Sequence, residues 1–444
     1  MRRDEATRVR SAEIHLLRTE HGGHAFVVDG SRLFDVKESV FERLDAALDA
    51  GGVGAILSEL GLAAARPAID DVPPTGIAIH ALSLAIAQKC NLGFSYCYAQ
   101  DGDFGAAPKN MPTETALASV DLLLGETNAS ERINLAFLGG EPLINREILR
   151  RTVEYAQQRT AERGQQIRFS ITTNGTLLTA DDADFFDTFG FAVTVSLDGP
   201  RPIHDRQRSF KGGRGSYDQI VSRIKPLLAR RGAMQVTARV TVTPDNLDLV
   251  QTLDELLGLG FYSVGFSPML ASATGIGEME SVALDAMLDA MIDCGSEFER
   301  RVISGEPYAF ANLMTALREI HQRTHGPYPC GAGAGYLGVS ADGELAACHR
   351  FIGDALAQMG SLDFGVDRDR QGDWLASRHV HAQEPCRSCW ARYLCGGGCH
   401  HEVLARGRGA CDFIRGWLHY SPQAYVRLSI ARPDMFAGEG AQGH

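Results

Sequence analysis

The chain has 444 residues, 44% hydrophobic and 22% charged, an ordinary balance for a soluble globular protein with room for two or three domains. Lys and Arg total 43 against 55 Asp and Glu, and the net charge of −12 argues against non-specific nucleic-acid binding and against an anionic membrane surface. No run approaches the roughly 18 apolar residues of a spanning helix, and the start, MRRDEATRVRSAEIHLL, lacks the apolar core of a signal peptide, so no membrane partner and a cytoplasmic location are expected.

In chain order, HAFVVDG and SRLFDV predict two strands turning at Asp29-Gly30. Val40, Leu44 and Leu48, then Val53, Ile56, Leu57 and Leu60, repeat at helical spacing. A hairpin followed by two short helices makes a winged-helix-like module of residues 1–65. ARPAIDDVPPTG, with Pro67, Pro73 and Pro74, predicts a linker over 66–78. Over 79–320, six apolar strands (ALSLAIAQ, INLAFLGG, IRFSITTNG, FAVTVSLDG, QVTARVTVT and YSVGFSP) alternate with helical stretches such as 145–163 and 247–258. That alternation predicts an α/β fold with a parallel sheet, open or closed into a full or partial barrel, and a site at the carboxyl ends of the strands. Cys90, GGEP, TTNGT, SLDGP and SPM all fall at those ends. From 325 to 435 regular periodicity gives way to cysteine and glycine, as in a domain held together by metal.

Seven of the ten cysteines lie between 330 and 411. Without a secretion signal, metal or iron–sulfur ligation explains such clustering better than disulfides. Cys386, Cys389, Cys395 and Cys399 form C-x2-C-x5-C-x3-C, preceded by Cys330 and Cys348 and followed by Cys411. One structural zinc could take the first four but would leave the other three without a role. Iron–sulfur clusters, which use thiolates in fours, absorb most of them. Near the other end, CNLGFSYCYAQ holds Cys90 and Cys97, with Phe94 where a cysteine would complete C-x-x-x-C-x-x-C. In GGEPL, Gly139 and Gly140 permit close backbone approach and Glu141 offers a carboxylate to a cation, although a plain tight turn would look the same. TNG at 173–175 and SLDGP at 196–200 also pass as strand-to-helix turns. Arg208, in HDRQR, either faces an anion or belongs to a solvated basic loop. Cys294, in a helical stretch, reads as a buried thiol. His400 and His401 could ligate, though surface roles are commoner.

Gly343 five residues before Cys348, the C-x2-C-x5-C-x3-C run and the final Cys411 together resemble the SPASM domain of radical S-adenosylmethionine enzymes, and the strand-end motifs agree over about residues 80–415. The resemblance implies a partial (β/α)6 TIM-like barrel between an N-terminal peptide-recognition module and a C-terminal SPASM domain. It implies a first 4Fe–4S cluster on Cys90 and Cys97, with Phe94 departing from the pattern, and an open iron for the amino and carboxylate groups of S-adenosylmethionine. Tyr98 matches the aromatic beside the adenine. Gly139, Gly140 and Glu141 would hold the methionine amino group, Asn174 and Ser196 the ribose and carboxylate, and Arg208 would be the carboxylate's cationic partner. Two auxiliary 4Fe–4S clusters are implied, one on Cys386, Cys389, Cys395 and Cys411, the other on Cys330, Cys348 and Cys399 with a fourth site open or filled by another group. Many relatives add a cysteine where Thr324 stands here. His349 and Arg350 loosely resemble the peptide-modifying branch.

Such an enzyme cleaves the cofactor reductively and uses the resulting radical to abstract hydrogen from a substrate side chain. The implied function is a peptide maturase that installs a thioether or carbon–carbon cross-link in a ribosomal peptide or protein. Its leader would add a strand to the N-terminal hairpin, and flavodoxin or ferredoxin would supply electrons. Eighty-nine residues precede Cys90, whereas sulfatase-maturing relatives generally start close to the cluster motif, so cross-linking is preferred over formylglycine formation. A non-catalytic, peptide-binding descendant is the rival that Phe94 raises. A zinc-dependent barrel hydrolase fits poorly, because no H-x-x-E or similar water-activating group lies at the strand ends.

Overall fold

The structure is a computed structural model and describes residues 7–63, 66–93, 96–97, 99–230, 234–324 and 326–437. Phe94 and Tyr98 lie outside the described residues. The chain gathers into two compact units, each discontinuous in sequence: Met1–Pro73 with Glu280–Cys330 and Ala376–His444, and Pro74–Met279 with Gly331–Leu375.

The first unit opens with a three-stranded antiparallel sheet, β1 (Ile14–Thr19), β2 (Gly22–Val27) and β3 (Arg32–Val36), with β2 in the middle. The hairpin read from the sequence is present as β2 and β3, and β1 adds a strand to it. Helices Glu38–Ala50 and Val53–Glu59 follow. Ile14, Ala25 and Val27 pack with Leu44, Ala47, Val53 and Leu57. Leu17, Phe26 and Val28 instead pack with Val380, Cys386, Cys389, Trp390 and Tyr393. The His15 ring stacks on Trp390 at 3.6 Å between centroids and 5° between planes. Its Nε2 lies 2.7 Å from Nδ1 of His419, on the long helix Cys411–Ala431. The N-terminal module therefore shares its core with the cysteine-bearing loop of the same unit rather than closing on itself. Helices Ser281–Ile303 and Ala311–Gln322 complete this unit. Buried Glu299 fastens the first of them to Cys411–Ala431, accepting from the Tyr420 hydroxyl at 2.5 Å and from Arg427 at 2.5 and 2.7 Å.

The second unit is built on six parallel strands, in the α/β pattern expected. They are β4 (Ala81–Gln88), β6 (Arg132–Gly139), β7 (Gln166–Thr173), β8 (Ala192–Ser196), β9 (Gln235–Val242) and β10 (Ser263–Pro268), with a short β5 (Lys109–Asn110) pairing against β4. Their order across the sheet follows the chain, as successive β–helix–β crossovers require. Alternate residues such as Leu82, Leu135, Phe137, Ile171, Val193, Val195 and Val240 are buried. The residues between them, among them Ser170, Thr172, Thr194, Ser196 and Thr237, are partly or fully exposed. One face is thus a core and the other is polar and open. Beyond β4 the sheet continues through β11 (Tyr336–Val339), parallel to β4, and then through the antiparallel β12 (Glu344–Ala346), β13 (Gln358–Ser361) and β14 (Gly365–Val366). The segment after residue 330, read from the sequence as part of a metal-held domain, supplies strands to this sheet as far as Val366. Tyr336 helps fix it, donating to Ser83 Oγ on β4 at 2.7 Å and lying 2.7 Å from His349 Nδ1. No helix among the described residues is long and apolar enough to cross a membrane.

Candidate active site

The strand ends of the second unit bring together most of the residues singled out from the sequence. Cys90 lies two residues beyond β4, and Cys97 lies close enough to raise the cost of ionising Cys90. Burial is the larger effect and pushes Cys90 up to about 11. Burial also raises Cys97, against which Arg208 works in part. Two thiols held this way favour the neutral form until a cation arrives, which is the electrostatic setting of a metal-binding pair.

Gly139 and Gly140 earn their place by backbone approach, and what they approach is the chain itself. A Cβ on Gly139 would stand 2.2 Å from Ala87 O, and one on Gly140 2.3 Å from Lys89 O. Gly140 N donates to Ala87 O and Glu141 N to Lys89 O, both at 2.9 Å, so this loop splints the segment leading into Cys90. Glu141 is completely buried. Its carboxylate accepts from Leu143 N at 3.0 Å, Asn174 N at 2.7 Å and Thr173 Oγ1 at 2.8 and 3.0 Å. Burial pushes it up to about 7, against the pull of those donors. The Glu141 side chain ties the β6 loop to the β7 turn and has its acceptor positions filled from within. Asn174 is similarly engaged: Nδ2 reaches Asn91 Oδ1 at 2.9 Å and Cys90 Sγ at 3.7 Å, and Oδ1 accepts from Thr176. Ser196, at the end of β8, keeps its hydroxyl partly exposed.

Arg208 does not face solvent or an open anion site. It is buried and donates through Nε to Asp198 Oδ2 at 2.6 Å. Burial works against its charge, and Asp198 more than restores it. Asp198, fully buried, also accepts from Thr241 N at 2.8 Å and from the Tyr96 hydroxyl. Burial raises Tyr96 far above the ordinary phenol range, so it serves as a donor. Asp198 N donates to His204 Nδ1 at 3.1 Å, and the opposite ring nitrogen lies 3.0 Å from Ser216 Oγ. The expected basic loop is therefore a buried Tyr96–Asp198–Arg208–His204 network. It ties the Cys90–Cys97 loop to β8 and β9. Its members stood inside the quoted motifs, but only pairing across more than 100 residues reveals their purpose.

In the first unit, Cys386, Cys389, Cys395 and Cys411 converge. Cys395, pushed up to about 12 chiefly by burial, feels the other three, and Cys386 and Cys411 are raised by burial and by one another's neighbours among the four. Arg408 and Arg415 pull the other way at Cys411. Among the described residues no three His, Cys, Asp or Glu side chains stand close enough to hold a single metal ion. A cluster, being itself a body of several atoms, takes its thiolates farther apart than the roughly 2.3 Å bonds of one zinc permit. Cys330 is exposed and Cys399 caps the helix His400–Arg406, both in this unit, whereas buried Cys348 belongs to the sheet unit. Cys294 is fully buried in Ser281–Ile303, as expected.

This sheet, with paired thiols and glycine-rich turns at its strand ends, resembles that of radical SAM enzymes. Residues 84–257 match the radical SAM superfamily, and the chain thus carries a radical SAM domain. Over 346 residues it is 25% identical to the serine-type anaerobic sulfatase-maturating enzyme of Klebsiella aerogenes, covering 76% of this chain and 83% of that one. Its fold superposes on anSMEcpe with bound AdoMet at a TM-score of 0.65 and 18% identity, over 80% of this chain and 99% of the other. SuiB from Streptococcus suis, solved with its precursor peptide SuiA, superposes at 0.54 and 14% identity, over 89% and 96%.

Proposed function

We propose that the chain is a cytoplasmic radical SAM maturase that cross-links a ribosomally made peptide or protein. The observation that carries this reading is the shared core of the first unit, where Cys386 and Cys389, two of the four neighbouring thiols, pack with a three-stranded sheet whose edge strands β1 and β3 pair with no further strand among the described residues. The sulfatase-maturase and SuiB likenesses support a peptide or protein substrate. S-adenosylmethionine bound at an iron–sulfur cluster would supply the hydrogen-abstracting radical, and flavodoxin or ferredoxin the electron. Cys90 and Cys97 would hold that cluster, with Tyr98 and Ser196 against the cofactor. The Gly139–Gly140 backbone, which braces the segment leading into Cys90, would lie beside it. Glu141, Asn174 and Arg208 act by position, holding the loops that carry these contacts. Cys386, Cys389, Cys395 and Cys411 would bind one auxiliary cluster, and Cys330 and Cys399 of the same unit would contribute to a second.

Phe94 offers iron no lone pair, so the chain as written would hold the first cluster with one cysteine too few. Anaerobic reconstitution tests this: Phe94→Cys should raise iron from about eight towards about twelve per chain and switch on 5′-deoxyadenosine formation. Equal rates before and after the substitution would remove position 94 from the site. The sulfatase-maturase likeness favours a second reading, oxidation of a single serine or cysteine to an aldehyde. Cross-linking and serine oxidation each remove two hydrogens, and cysteine oxidation also exchanges sulfur for a water oxygen, but only the aldehyde reacts with hydroxylamine, which separates the two readings.

A further inference from the structure

The open face of the parallel sheet carries arginines without counter-charges. The residues that alternate with the buried ones on β6, β7 and β9 include Arg132, Arg168 and Arg239, all exposed. That they share a face follows from register, with Asn134 beside Arg168 and Ser196 beside Arg239. The 3.3 Å approach of Thr194 Oγ1 to Thr237 Oγ1 marks the same face between them. Elsewhere in the unit several arginines meet carboxylates: Arg146 and Arg150 meet Asp182, Arg159 meets Asp121, Arg230 meets Asp184 and Arg208 meets Asp198. Arg168 and Arg239 make no ion pair, hydrogen bond or ring contact among the described residues. No Asp or Glu stands on this face of β4 or β6–β10, in a chain whose net charge is −12.

Unanswered guanidinium groups on an acidic protein repel one another mildly and gain only when an anion arrives. The spacing indicates what kind. Arg239 is level with Ser196 and Asn174, whereas Arg168 stands six residues nearer the start of β7. At about 3.3 Å per residue and about 4.8 Å per strand, the two are roughly 20 Å apart. One carboxylate cannot serve both, but an extended chain of six or seven residues can. Thr172, Thr194 and Thr237 lie side by side across the sheet between them, offering hydroxyls to a peptide backbone.

We infer that this face is a docking track for an acidic peptide segment, with carboxylates at both ends of a stretch of about six residues. The inference rests on the peptide-maturase reading and narrows its substrate to sequences rich in Asp or Glu around the reacting side chain. The test uses the reconstituted full chain and fluorescein-labelled octaglutamate, with octaglutamine as the neutral control, followed by fluorescence anisotropy. Octaglutamate should bind at least about tenfold more tightly than octaglutamine, and the preference should fade with salt. Arg168→Gln/Arg239→Gln should lose about tenfold in octaglutamate affinity, while Arg168→Lys/Arg239→Lys keeps most of it. Equal binding of the two probes would overturn the proposal. So would an unchanged affinity in the glutamine variant. Displacement of octaglutamate by saturating S-adenosylmethionine would also overturn it, by giving Arg239 to the cofactor's carboxylate. Binding needs no turnover. A Phe94→Cys chain that cleaves S-adenosylmethionine yet ignores octaglutamate loses the track alone, and one that binds octaglutamate but still lacks radical chemistry loses the maturase reading alone.

Discussion

Replacing Asp198 by asparagine keeps the side chain's size while removing the charge that Arg208 answers. Asp198 is fully buried and Arg208 is 8% exposed, so water cannot take over as the guanidinium's partner. Leaving one member of such a pair behind costs about 3–5 kcal/mol. Asparagine also turns one acceptor into a donor against Arg208 Nε, the Tyr96 hydroxyl or Thr241 N. For a unit of this size the cost lowers the melting temperature of the sheet unit by about 6–20 °C, read by anaerobic differential scanning calorimetry. Arg208→Leu should fall by a similar amount, because it strands the carboxylate. The double variant should fall much less than the sum, since removing both charges removes the desolvation problem as well. Because Tyr96 sits between the two loop cysteines, either single variant made in the Phe94→Cys background should also release iron from the first cluster faster. Single substitutions that each cost under about 1 kcal/mol, or a strictly additive double, would refute the account of this network as a strut.

Glu141→Gln must turn its amide nitrogen towards a backbone N–H, of either Leu143 or Asn174, and should cost about 1–3 kcal/mol by chemical denaturation; a change below about 0.5 kcal/mol would remove its clamping role. His204 is lowered to about 4, mainly by burial, and is neutral in the fold. The unfolded chain takes up its proton first as pH falls, so stability should drop between about pH 6.5 and pH 4, and His204→Gln should flatten that part of the profile. Trp390→Ala should cost the first unit about 3–5 kcal/mol. A fragment of residues 7–63, with Leu17, Phe26 and Val28 uncovered, should bind a hydrophobic dye such as ANS; a monomeric fragment with well-dispersed amide resonances would contradict the shared core.

The six parallel strands were legible because each buries one face and bares the other, and their turn residues mark the ends. β1 was not. In IHLLRT, Ile14, His15 and Leu17 are all buried because the sheet is covered on both sides, so the alternation that betrays a strand is absent. β11, only four residues long, borrows its regularity from β4 and has none of its own. The cysteines and strand-end motifs could be found one by one. What each side chain does there could not, since the partners of Glu141 lie some 30 residues on, in the β7 turn, and the Asp198–Arg208 pair shows only once the turn after β8 is folded. The resemblance grouped Cys330, Cys348 and Cys399; which unit each belongs to, Cys348 to the sheet unit and the other two to the first, was not legible in the sequence.

The shared core of the first unit also sets a timetable for synthesis. Leu17, Phe26 and Val28 leave the ribosome early, but the loop that covers them, around Trp390, follows some 360 residues later. At about 5–20 residues per second the wait is roughly 20–70 s. During that interval the small sheet is an apolar surface in search of a partner, long enough for a holding chaperone to act and for neighbouring nascent chains to meet. Yield in a foreign host should therefore depend on translation speed downstream of the sheet more than on the sheet's own sequence.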